Sequence, residues 1–225
     1  MTAAPRLDLL LGSDIGLWVL SQVGPAEVGR VITHDPAIAE AALQRGFVVD
    51  TSLSVGWRAL SVHYPRILTA RQLACYSAVY NLHPGYLPWG RGHFPLVWAI
   101  WLGEPAGATL HRMVRRVDAG PIVAQMRVAI RATDTAFSVH RRIRQAERRL
   151  FGIWWPRLTM TDTPPEREQG PGGSFHTRDQ FTALMAIPTG TLGDTERERL
   201  TRALTFPGRP GIGSGVPVPS MDKRD

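Results

Sequence analysis

Short apolar runs of strand length alternate with segments of helical spacing from Arg6 to Ile153, and this alternation leaves few architectures open. Arg6 to Gly12 reads as a strand, followed by a helix that Asp14 can cap and that runs to Val23. Val28 to Thr33 and Pro36 to Arg45 repeat the pair. Phe47 to Val49, Ala59 to His63 and Ala78 to Leu82 read as further strands, with a short helix from Thr69 to Cys75 before the last. In Gly107 to Val114, Thr109, His111 and Met113 share one face and Ala108, Leu110 and Arg112 the other, the period of a strand. Pro121 to Ile130 reads as a strand as well. A chain that returns so often from helix to apolar strand builds an α/β fold, a mostly parallel sheet flanked by helices.

Two helices stand out within this pattern. Pro95 to Trp101 is apolar almost throughout and reads as a helix buried on most sides. Beyond Thr133 or Asp134 as cap, Ala136, Val139, Ile143, Ala146, Leu150 and Ile153 recur at helical spacing. From Thr161 the composition shifts to Pro and Gly. The expected division is an α/β unit over 1–160 and a linker with a short C-terminal extension over 161–225. That extension holds helices at Phe181 to Ala186 and Thr195 to Ala203, and ends in a tail with little to bury.

Composition narrows the setting. No run of apolar residues is long enough to span a bilayer, and the first residues lack a signal-peptide pattern. Cys75 is the one cysteine, so no intramolecular disulfide can form, which fits a cytoplasmic protein. The net charge of +7 invites a nucleic-acid reading, but Lys223 is the one lysine and the arginines are spread out. The dense cluster Arg141, Arg142, Arg144, Arg148 and Arg149 reads as a solvated helix face, and the same charge suits an anionic small molecule.

The segment Asn81 to Gly92, NLHPGYLPWGRG, carries the chemistry. In an open α/β sheet, ligands sit beyond the carboxyl ends of strands, where Asn81 and His83 fall and share one side of the chain. Asp118 lies in a second loop, Val117-Asp118-Ala119-Gly120-Pro121. An imidazole can take a proton from an amine, an amide NH2 can steady an oxyanion, and a carboxylate can orient the imidazole and stabilise its charged form. From the residues alone the set is equally compatible with a capping histidine and a turn carboxylate. A metal site built from His83, His93, His111 and Asp118 is a further reading, although no HxH or HxxxH pair supports it.

NLHPGYLPWGRG, followed by Pro95, Trp98-Ala99-Ile100, Gly107-Ala108-Thr109-Leu110-His111 and Val117-Asp118-Ala119-Gly120-Pro121-Ile122, resembles the signature of N10-formyltetrahydrofolate-dependent formyltransferases. The resemblance covers residues 50 to 155 well and implies a Rossmann-like fold. It implies formyl transfer to a primary amine through a tetrahedral intermediate, with Asn81, His83 and Asp118 as the catalytic set. It implies N10-formyltetrahydrofolate as co-substrate and no metal. Tyr86, Leu87, Pro88, Arg91 and Gly92 are the expected folate contacts. Trp89, His93 and His176 are the expected substrate contacts, and His111 is expected to support the site from a strand. Gly85 departs from the family, which often has Ser after the His-Pro pair. Leu11-Gly12-Ser13-Asp14-Ile15-Gly16 lacks a full phosphate loop, so dinucleotide binding is not expected there.

Within the family, Arg91-Gly92, Pro95 and Trp98-Ala99 are more similar to the methionyl-tRNA and amino-sugar branches than to the glycinamide ribonucleotide branch. The residues after the long helix leave little room for the β-barrel of the tRNA enzymes. Gly172-Gly173-Ser174-Phe175-His176 and Arg202-Ala203-Leu204-Thr205-Phe206-Pro207-Gly208 resemble the corresponding stretch of sugar N-formyltransferases. The implied substrate is a nucleotide-linked amino sugar, dTDP-linked above all, and the implied assembly is a homodimer without nucleic acid or membrane. Another amine, such as glycinamide ribonucleotide, an amino acid or a siderophore precursor, is the alternative. So is a non-catalytic nucleic-acid-binding protein on the same scaffold.

Overall fold

The computed structural model describes residues 6–206. It begins with the expected alternation: β1 (Leu7–Leu11), α1 (Ser13–Gln22), β2 (Val28–Thr33), α2 (Pro36–Gln44), β3 (Val49–Asp50), β4 (Arg58–Val62), α3 (Ala70–Leu73) and β5 (Ala78–His83). Then follow β6 (Arg91–Gly92), α4 (Pro95–Leu102), β7 (Ala106–Arg112), β8 (Ile122–Val128) and α5 (Ala136–Leu158). Beyond α5 come β9 (Phe175–His176), α6 (Arg178–Met185), a 3-10 turn at Thr189–Thr191 and α7 (Asp194–Leu204).

Seven strands form one sheet in the order β3-β2-β1-β4-β5-β7-β8. The first five pair in parallel. β7 then runs antiparallel to β5, and β8 antiparallel to β7. β1 and β4 are buried at every position, as expected for central strands covered on both faces. The polarity of the sheet therefore reverses beside β5, the strand that ends in His83. The little pair β6–β9 was not legible as strands; two residues carry no period.

The all-apolar α4 has a simple explanation. One side faces the main core through Ala99 and Ile100, and the other packs Trp98 against Leu184 of α6 and Leu200 of α7. The long helix corrects two expectations. Its cap is Thr135, whose hydroxyl accepts from the Ser138 N–H. Asp134 instead accepts from the Arg131 N–H at 2.6 Å and pairs with Arg142 at 2.5 Å. Ile153 is 49% exposed, and the buried stripe continues through Phe151, Trp155 and Leu158. The stripe follows the true 3.6-residue period, which rotates Ile153 off the core by the fifth turn.

The arginine cluster on α5 is largely engaged within the fold. Arg142 pairs with Asp134, Arg144 with Asp14 and Glu147, and Arg148 lies over the Trp18 ring. No helix among the described residues is long and apolar enough to cross a membrane.

Candidate active site

β5 delivers Asn81 and His83 to the end of the parallel half of the sheet. Asn81 lies in register with Ser61 of β4 on one side and His111 of β7 on the other. This row brings an amide and an imidazole together although 30 residues separate them. The Asn81 Nδ2 lies 3.3 Å from His111 Nε2 and donates to Asp118 Oδ1 at 3.5 Å. The His111 Nδ1–H is fixed by the Arg112 carbonyl at 3.0 Å. With the proton on Nδ1, His111 presents the Nε2 lone pair to the Asn81 amide.

His83 is oriented by the same logic. Its Nε2 lies 2.9 Å from the Gly90 carbonyl, which can only accept, so the ring carries its proton there. That leaves the Nδ1 lone pair 3.6 Å from Asp118 Oδ2. Burial pushes the His83 pKa below its ordinary value, and His111 adds to this, while Asp118 pulls the other way. His83 is therefore neutral near pH 7, a base with its counterion already in place. Asp118 is the opposite case. Burial disfavours its charge, but His83, His111 and the Gly92 N–H at 2.9 Å outweigh it and hold the carboxyl well below the usual carboxylate range.

Close packing sets this geometry. A Cβ at Gly85 would come 2.5 Å from His83 Nε2 and 2.9 Å from the Gly90 oxygen, so in this chain a side chain there would have to displace the ring or the turn. Thr109 donates to the Gly85 carbonyl at 2.7 Å and accepts from the Leu87 N–H at 3.2 Å. Gln125 donates to the Leu87 carbonyl at 2.6 Å. Neither residue was singled out by sequence, although Thr109 shares its strand face with His111.

Asn81, His83 and Asp118 line a cavity of about 440 Å3, within the range of small-molecule sites. Further walls come from 64–68 after β4, from 92–95, and from Met113, Val114, Arg115 and Val117 after β7, with Ile67, Leu68, Met113, Val114 and Val117 as apolar surface. Arg66, Arg115 and Arg178 supply positive charge. Of the expected folate contacts, Gly92 lines this cavity; Tyr86, Leu87, Pro88 and Arg91 lie outside its lining, and Leu87 is buried beneath the loop. Of the expected substrate contacts, His93 lines it. Trp89 is outside the lining, and His176 is stacked on Trp98 with ring centroids 4.0 Å apart. The segments 64–68 and 113–117 escaped sequence reading because nothing in their composition marks a wall. No cluster of metal-ligating side chains occurs among the described residues.

Residues 58–152, which hold all three converging side chains, match the model of the formyl transferase family. Over that stretch the chain is similar to the formyl transferases. The fold around that stretch extends the likeness. A sugar N-formyltransferase from a Shewanella species superposes with a TM-score of 0.79 at 21% identity, over 91% of this chain and 89% of that one. A 4-N formyltransferase from Francisella tularensis gives 0.81 at 17% identity, over 93% and 91%. An N-formyltransferase from Helicobacter canadensis, in complex with folinic acid and dTDP-3-aminofucose, gives 0.76 at 21% identity, over 90% and 81%. The formyl transferase fold therefore accounts for α6 and α7 as well as for the matched region.

Proposed function

We propose that the protein moves a formyl group from N10-formyltetrahydrofolate to the primary amine of a nucleotide-linked amino sugar, with dTDP-linked sugars the leading class. The observation that carries the proposal is the convergence of Asn81, His83 and Asp118 on one cavity. The likeness to the Helicobacter enzyme, bound to a folate and a dTDP-amino sugar, directs the choice of substrates.

The cavity fits a folate. Its apolar walls at Ile67, Leu68, Met113, Val114 and Val117 suit a flat heterocycle, and the three polar groups lie on the same surface. Bound there, the donor supplies an electrophilic formyl carbon. The chain's own groups do the rest. An amine that attacks a carbonyl gains positive charge and must shed a proton, which His83 accepts at Nδ1. The resulting imidazolium faces Asp118 Oδ2 at 3.6 Å, and the proton it holds is the one to be returned to the folate nitrogen as the bond from that nitrogen to the formyl carbon breaks. Asn81 has one amide hydrogen committed toward His111 and Asp118, and the other is available to the negative charge that develops on the acyl oxygen. Arg66, Arg115 and Arg178, none of which pairs with a carboxylate among the described residues, suit a diphosphate.

On the same reading the protein works in the cytoplasm as a homodimer and does not use nucleic acid. Engagement of Arg142, Arg144 and Arg148 within the fold supports the last point. The deciding experiment follows tetrahydrofolate release optically, with N10-formyltetrahydrofolate and a panel of dTDP- and UDP-amino sugars, free amino acids and glycinamide ribonucleotide. Turnover with a nucleotide sugar, abolished in a folded His83→Ala variant, is the expected result. Turnover with another amine alone would keep the chemistry and discard the substrate. Normal turnover in His83→Ala would sink the mechanism.

A further inference from the structure

The loop that carries Asp118 is not self-supporting. Asp118 sits at φ +50, a left-handed backbone that a non-glycine residue adopts only when its surroundings hold it. Its carboxylate bonds fix the tip of the side chain, but something must also fix the peptide. One side chain does. Gln169, in the connection between α5 and β9, donates from Nε2 to the Asp118 carbonyl and to the Gly120 carbonyl, both at 2.8 Å. Its Oε1 accepts from Arg91 Nε at 3.0 Å and from Arg91 Nη2 at 2.6 Å. All four of its hydrogen-bonding positions are taken, and they join the two loops that bear the reacting groups.

The same segment grips the His83 loop a few residues on. The Ser174 hydroxyl accepts from the Gly90 N–H at 2.8 Å and donates to Glu104 at 2.7 Å. The carbonyl of that same Gly90 is the one that holds His83 Nε2. Gly173, at φ +96, lies so close to Pro88 that a Cβ would meet its carbonyl oxygen at 2.2 Å.

We infer that Gln169 is a positioning residue for the transfer reaction, setting the Asp118 carboxylate against His83 through the Asp118 and Gly120 carbonyls and anchoring it on Arg91. It touches no reacting atom in this scheme; it acts through Asp118. Gln169 lies outside the matched region 58–152, so the site's geometry depends on a residue beyond that stretch.

The test uses two variants of the full chain. Gln169→Met keeps the volume and removes all four bonds. Gln169→Glu keeps the Arg91 contact, now as an ion pair, and sets a carboxylate oxygen against two carbonyls. The kinetic arm rests on the transferase reading: kcat should fall roughly 10- to 100-fold in both, with KM for the amine within about threefold of wild type. Combined with Asp118→Asn, the Gln169 effect should largely vanish, because both changes remove one function. A second arm needs no turnover. The His83 imidazole resonance, assigned by its loss in His83→Ala, should titrate at lower pH in Gln169→Met than in wild type. The groups facing His83 are Asp118, His111 and His63, and Asp118 alone among them favours the proton. Multiplicative kinetic effects in the double variant, or an unmoved His83 titration in folded Gln169→Met, would overturn the inference. If Gln169→Met fails to fold, full activity in Gln169→Glu would overturn it equally. A moved titration with no turnover on any amine would leave the positioning role standing and remove the transferase reading.

Discussion

Replacing Asp118 by Asn tests the electrostatic core of the mechanism, because it keeps the shape and removes the charge, together with the long acceptor contact that Asn81 makes to Oδ1 at 3.5 Å. The side chain is isosteric, and the oxygen of the new amide can still accept the Gly92 N–H that the carboxylate accepts at 2.9 Å. What is lost is the anion 3.6 Å from His83 Nδ1 at the moment the ring becomes an imidazolium. At an effective dielectric of about 20, that interaction is worth about 4.6 kcal/mol, which corresponds to about three decades in rate. Sharing of the carboxylate with His111, 3.5 Å away, reduces the share available to His83, so the expected loss in kcat is roughly 10^2 to 10^3. The assay is tetrahydrofolate release under saturating substrates between pH 5 and 9, with near-UV circular dichroism to establish the fold. A second signature accompanies the rate. Asp118 opposes the depression of the His83 pKa, so in the Asn variant the acid limb of the profile should move to lower pH. Activity within tenfold of wild type, or an acid limb that stays where it was, would refute the assignment of Asp118 as counterion to His83.

Four further outcomes follow from the same geometry. In the wild-type protein, kcat/KM should rise with pH and level off through an apparent pKa below 6.5, since burial favours the neutral ring; a limb above 6.5 would contradict a buried His83 base. The stability carried by that neutral ring should be complete above pH 6.5 and be lost as pH falls toward the depressed folded value, which thermal melts across pH 5 to 7 in wild type and His83→Ala would resolve. Gly85→Ala should cost at least about tenfold in kcat while changing the melting temperature little, because the new Cβ displaces the His83 ring rather than the core. His63→Ala should do the reverse. It removes the 2.7 Å partner of the fully buried Glu147 and leaves that carboxylate, among the described residues, only the longer pairing with Arg144 at 3.7 Å, at a cost of about 3 kcal/mol. That should appear as a fall of roughly 6 to 12 °C in melting temperature for a chain this size.

The strands and long helices were readable because each buries a face with a regular period, and Leu7 to Leu11 or Val28 to Thr33 need no partner to be recognised. The convergence of Asn81, His83 and Asp118 was readable because their residue types and separations match one another, and the structure brings them to one cavity. Gln169 and Thr109 were not, since each acts through backbone carbonyls and amides that only the fold brings near. Glu147 was hidden for a related reason. A glutamate on an arginine-rich helix reads as a surface ion pair, and only the approach of the β4 terminus shows that it is enclosed. The cavity walls at 64–68 and 113–117 came together through the reversal of strand direction at β7, a pairing that no local pattern encodes.

That α4 is apolar on nearly every side has a consequence for how such proteins can diversify. Its outer surface, with Trp98 at its centre, is kept from water by Leu184 and Leu200, which belong to helices formed long after the matched region ends. A descendant that exchanged its final helices for another module would inherit an uncovered hydrophobic rod beside the cavity. The new module would therefore have to present a greasy face of its own at that place before it could contribute any new specificity, so the evolvable end of the chain is constrained first as a lid and only then as a recognition element.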